Sequence, residues 1–262
     1  MSENFTNNPL NNANLPPSVD NAIKNLTDKP TEAAGTTFAD IWYLIFHKFS
    51  FLAEKKRIET EYALNQYRDQ LESSIACIPT DKLVAPSLQV TAQALDNSKY
   101  CFLETELRNM FISLISNSMN ADFSAFIHPS FSEIIKQMSP LDAKIIALFK
   151  NDSVPGLPVC QYRIPIPGSI GGSTFPEHIF LEVPYGDIFS LSVSLESLSR
   201  LGLLTITYLE YLHDQTQYEK FLTHPFYKDL SAYWPVGKIS IQKGVTKLSP
   251  FGRSFVKVCV PN

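Results

Sequence analysis

The chain has 262 residues, 44% of them apolar, enough for one large domain or two small ones around a substantial core. Its four cysteines, at 77, 101, 160 and 259, form no Cys-x-x-Cys pair and have no histidine at zinc-finger spacing, which argues against a disulfide framework or a patterned metal site. The net charge of −4 is unevenly placed, since residues 190–262 carry 8 Lys and Arg against 5 Asp and Glu, so a basic surface is confined to the last part of the chain.

Residues 1–35 hold eight Asn, four Pro and one Phe with no hydrophobic period, a composition that cannot offset its own ordering entropy. A disordered tail is expected there. No basic start followed by an apolar stretch and a small-residue cleavage site is seen, so the expected location is cytoplasmic, with the inner-membrane surface as the alternative. From Thr37 to about Ile78 no Gly or Pro interrupts a run of helix formers, predicting one or two long helices. The part from Phe38 to Ala53 is apolar nearly all round and too short to span a bilayer. Trp42, Ile45 and Phe49 on it, beside Lys55, Lys56 and Arg57, mark either a self-association surface, a core helix or an interfacial membrane contact. Leu64, Tyr67, Leu71, Ile75 and Ile78 then form a single stripe.

A short helix is predicted from Pro86 or Ser87, and a strong one from about Ser98 to Asn117 with Leu103, Leu107, Met110, Phe111, Leu114 and Ile115 on its bundle-facing stripe. Pro129 pushes His128 out of the helical region and opens a helix carrying Phe131, Ile134, Ile135 and Met138. Ser139 followed by Pro140 reads as an N-cap with proline at the first helical position. His128 and His224, each before a proline, read as turn-makers whose imidazoles bond a nearby backbone group.

After Lys150 a run of Pro and Gly breaks any helix, leaving a connection over 151–185 with short strands at Val159 to Ile164 and Ile179 to Val183. The glycine-rich loop at 167–174 lacks the Gly-Lys-Ser/Thr of a P-loop and is followed by Pro176, so it reads as a connection. A helix from Asp187 to Arg200, a strand from Thr205 to Leu212, a polar helix through Tyr218 to Thr223, a hairpin over 238–248 turning at Lys243 and Gly244, and a helix from Pro250 to about Val258 complete the order. Lys238, Lys243, Lys247, Arg253 and Lys257 are the candidate contact surface for DNA or an acidic partner.

The run from His128 to Phe149, together with Leu107 to Asn120, resembles the bacterial and phage family called abortive infection alpha, best over residues 71–149. Leu201, Gly202, Leu203 and Leu204, followed by a strand, a hairpin and the segment Leu248 to Phe255, resemble the second half of a winged-helix domain. The fold expected is therefore mainly α with a small α+β part: a helical bundle at 36–150 and a winged-helix-like domain at 186–262. The first resemblance implies a role in phage resistance or phage biology, exerted through an unidentified host or phage protein or through homo-oligomers and not through catalysis. A DNA-binding regulator and a peripheral membrane effector are the alternatives, and no cofactor is expected. The presumed recognition helix offers only Arg200 as a cation and contains Glu196, a poor surface for phosphates.

Overall fold

The computed structural model describes residues 54–85, 87–151, 155–166, 172–184, 186–234 and 239–261, with the side chains of 54–60 and 88 outside that description. The tail at 1–35, the apolar segment from Phe38 to Ala53 and the loop at 167–171 lie outside it too. Helix α1 (Glu54–Ala76) buries Tyr67 and Leu71 completely and half-buries Leu64 and Ile75, following its stripe. Helices α2 (Leu88–Ser98) and α3 (Thr105–Ser118) come next, then a 3₁₀ turn (Ala121–Phe126), α4 (Phe131–Gln137) and α5 (Pro140–Ala147). Ser139 and Asp142 close a capping box at the start of α5: the Asp142 amide donates to the Ser139 hydroxyl at 3.1 Å, and the Ser139 amide to the Asp142 carboxylate at 2.9 Å.

The short helix expected from Pro86 or Ser87 is α2, whereas the strong helix expected from about Ser98 begins only at Thr105, as α3. Residues 99–104 turn, with Cys101 N–H on the Ser98 carbonyl and Glu104 N–H on that of Cys101, both at 2.9 Å. These bonds and the burial of Cys101 and Phe102 replace helical continuation. Leu103 is consequently exposed, while Leu107, Met110, Phe111, Leu114 and Ile115 stay buried as the stripe predicts.

The second half adds β1 (Leu157–Pro165), β2 (Gly172–Thr174), α6 (Ile188–Arg200), β3 (Leu204–Thr207), α7 (Glu219–Thr223), α8 (Pro225–Tyr233), β4 (Ser240–Leu248) and α9 (Pro250–Cys259). The strands form one antiparallel sheet in the order β2-β1-β4-β3. The overall composition of elements is mainly α with a small β part. Helix α6 starts on the Asp187 carboxylate, which accepts from the Phe189 and Ser190 amides, and ends at Gly202 in the left-handed region. There the Leu203 amide donates to the Leu198 carbonyl at 3.0 Å and the Gly202 amide to Ser199 at 2.9 Å, the paired bonds of a Schellman motif.

Three further expectations are corrected. The hairpin over 238–248 is one continuous strand among its described residues: Gly244 lies within β4 opposite Val159, and a Cβ there would meet the Thr207 carbonyl oxygen and the Tyr208 ring at 2.6 Å. The glycine serves close approach, not a turn. The strand expected at Ile179 to Val183 reduces to a single bridge between Cys160 and Ile179. Strand β3 stops at Thr207 because Tyr208 turns inward to His178, 2.6 Å from its Nδ1, while His178 Nε2 lies 2.6 Å from Glu196.

The main core is continuous across residue 150. It joins Tyr67, Phe111, Ile135 and Phe149 to Val159, Leu195, Leu204, Phe255 and Val258, so the connection at 151–185 is not a boundary of the core. On the other side of the sheet Cys160, Tyr162, Tyr218 and Phe221 form a second cluster. There the Tyr162 hydroxyl donates to the Phe221 carbonyl and the Tyr218 hydroxyl to that of Gly244, both at 2.7 Å.

Candidate functional site

Helix α9 is amphipathic, and that decides where the site lies. Phe255, Val256, Val258 and Cys259 are buried in the core, leaving Arg253 and Lys257, one turn apart, on the exposed side. Burial pushes the Cys259 thiol well above its ordinary range. The last carbonyls of a helix have no partner within it. Here Asn117 Nδ2 of α3 donates to the Val258 carbonyl at 2.8 Å, and Lys150 Nζ to the Val260 carbonyl just beyond at 2.7 Å. A lysine at a helix C-terminus also complements the helix dipole.

Docked in this way, α9 forms one wall of a groove of about 1030 Å³. The second half of α1 and the polar side of α3 form the other walls, and Phe123 and Phe126 of the 3₁₀ turn also line it. Lys257 Nζ sits 3.5 Å from the centroid of the Phe126 ring, a cation–π contact. On the α1 and α3 walls three of the serine hydroxyls donate to their own helix: Ser73 to the Asp69 carbonyl at 2.7 Å, Ser74 to Gln70 at 2.9 Å and Ser116 to Ile112 at 2.9 Å. What these serines have left for the groove is acceptor oxygen.

Of the five cations expected to act together, the four among the described residues are dispersed. Arg253 and Lys257 line the groove, with Arg253 Nη1 also donating to the Leu248 carbonyl at 3.3 Å. Lys243 is bonded to Gln215 and lies over the Tyr218 ring, and Lys247 is paired with Glu210. Lys238 lies outside the described residues, as do Trp42, Ile45 and Phe49. Lys55, Lys56 and Arg57 fall at the start of α1. His128 closes its own turn, with Nδ1 2.7 Å from the Ser130 hydroxyl and its ring edge-on to Phe251. Pro129 is in that turn, and Phe131 is fully buried against Phe251 and Phe255. His224 likewise accepts from the Phe226 amide at 3.2 Å. Ser139 and Pro140 cap α5 and are not among the residues that line the groove.

Asn117, Lys150 and the α1 serines line the groove and were not singled out in the sequence. Their only signal is a polar row, such as Asn109, Ser113 and Asn117 at every fourth residue of α3, and such a row reads equally as a solvated helix face. Among the described residues no group of three or more His, Cys, Asp or Glu is placed to hold a metal ion, and no helix is long and apolar enough to cross a membrane.

No curated protein and no solved structure matches this sequence. The family described as abortive infection alpha matches residues 59–259, so the likeness runs well past the 71–149 stretch, through the sheet and α9, and takes in nearly every residue that lines the groove. The chain belongs to the abortive infection alpha family.

Proposed function

We propose that the protein acts in phage defence by abortive infection, and that it does so by binding another protein and not by catalysis. The family match over residues 59–259 carries the first half of this reading. The groove between α1, α3 and α9 supports the second, because it offers charge and hydrogen-bonding surface built by three helices from distant parts of the chain.

The test is a plaque assay with and without expression of the chain, scored alongside host growth. Fewer plaques with arrested or dying hosts is the expected outcome. Protection without any loss of host growth would replace abortive action with exclusion of the phage, and unchanged plaque numbers across a broad phage panel would overturn the reading.

A further inference from the structure

We infer that the groove receives a helical segment of a partner protein that carries carboxylates on one flank and hydrogen-bond donors on the other. The inference rests on the interaction reading above and names the chemistry of the partner. Arg253 and Lys257 stand four residues apart on α9, about 6 Å along its axis, and both are exposed. Carboxylates at the same spacing on a neighbouring helix would face both. The opposite wall carries no cation of α9's kind: Asp69 contributes a carboxylate, Ser73, Ser74 and Ser116 present oxygens whose hydrogens are already donated to their own helices, and Gln70 and Asn109 add amides that can accept or donate.

This division selects among ligand classes. A small anion would be met by the cations and leave Asp69 and the serine oxygens of the opposite wall unmatched. A nucleic-acid strand would bring phosphates against Asp69 and the serine oxygens, a repulsive pairing. A helix has two flanks and can match both walls at once. The wall from Asp69 of α1 to Cys77 just beyond it covers nine residues, about 12 Å, or roughly two turns of such a helix.

The test uses the full chain and fluorescence anisotropy. The probe is a labelled, alanine-rich helical peptide of roughly 16 residues with Glu on one flank and Lys on the other. A peptide with Lys on both flanks and a labelled oligo-dT serve as comparisons. The Glu/Lys peptide should bind best, and Arg253→Glu with Lys257→Glu should weaken it about tenfold or more while the melting temperature stays unchanged. Should that pair disturb folding, Arg253→Gln with Lys257→Gln gives the same comparison without a new charge. No binding of the Glu/Lys peptide, equal binding of the all-Lys peptide, preference for oligo-dT, or binding indifferent to Arg253 and Lys257 would each overturn the inference. The plaque assay is scored separately, so loss of the defence reading and loss of this groove assignment are distinguishable.

Discussion

The side-chain amide of Asn117 donates to the main-chain carbonyl of Val258 at 2.8 Å, joining two residues 141 positions apart. It gives a partner to one of the carbonyls that α9 leaves unpaired, and so attaches the C-terminal helix to α3. Val258 is fully buried, so no water replaces a lost amide cheaply. Asn117→Ala should cost about 1 to 3 kcal/mol, seen as a fall of several degrees in melting temperature. Asn117→Asp should cost more, because a carboxylate then faces a carbonyl oxygen. A melting temperature unchanged in both variants would show that α9 is held by its apolar face alone.

Gly252 gives a prediction opposite in sign to helix propensity. It lies in the first turn of α9, where Gly→Ala ordinarily gains up to about 1 kcal/mol. An added Cβ, however, would stand 2.0 Å from the Leu203 carbonyl oxygen and 2.9 Å from its carbon, both backbone atoms of the residue just before β3. Gly252→Ala should therefore destabilise by about 2 kcal/mol or more in urea titration. A variant as stable as the parent would show that β3 and α9 can separate freely.

What was legible in the sequence is what local rules decide. Ser139 and Pro140 predicted a cap that the structure places residue for residue, and Gly202 closes α6 as a helix-ending glycine should. Gly244 shows the opposite case. Beside Lys243 it carries a turn signal, yet its reason for being glycine is the Tyr208 ring pressed against it from β3's end, a neighbour 36 residues away in sequence. Helix α8 was missed because nine residues behind a proline give too little period to read. The groove was unreadable for a similar reason: its walls are polar rows on three helices, and only the packing of α9 on α3 turns solvated faces into a site.

Arg108 is 7% exposed, and its guanidinium has one acceptor among the described residues, the Phe102 carbonyl at 3.2 Å, with Nε unpartnered. A buried charge so poorly paired is costly, and replacement by an apolar side chain of similar length is often neutral or stabilising. Arg108→Met should melt at the same temperature as the parent or higher. A fall of several degrees would reveal a compensating partner for the guanidinium.

Asp187 links stability to pH. Hydrogen bonds from the Ser190 hydroxyl, then from the Ser190 and Phe189 amides, hold its carboxyl below the usual range. A depressed folded value means the stabilisation is present above the unfolded value of about 3.9 and is lost as pH falls through the folded one. The melting temperature of Asp187→Ala should therefore lie below that of the parent at neutral pH, by an amount that shrinks as the pH is lowered below about 4. A difference that stayed constant down to the acid limit would assign the effect to helix propensity and not to the charged cap.

Binding to DNA should be weak and sequence-independent. Specific readout needs several side chains delivered together to base edges, with phosphate contacts fixing the register. The described cations of the C-terminal run are committed elsewhere or apart from one another: Lys247 to Glu210, Lys243 to Gln215, and Arg253 and Lys257 within a groove that also carries Asp69. On α6, Arg200 lies within reach of Gln137, and Glu196 of the same helix contacts His178. Phosphate contact alone gives affinities on the order of 10⁻⁴ to 10⁻⁶ M at physiological salt, falling steeply as salt rises. Gel shifts should accordingly vanish on moderate salt addition and respond equally to unrelated sequences. Tight binding to one defined site, retained in salt, would assign these cations to DNA and would require Lys243 and Lys247 to leave their present partners.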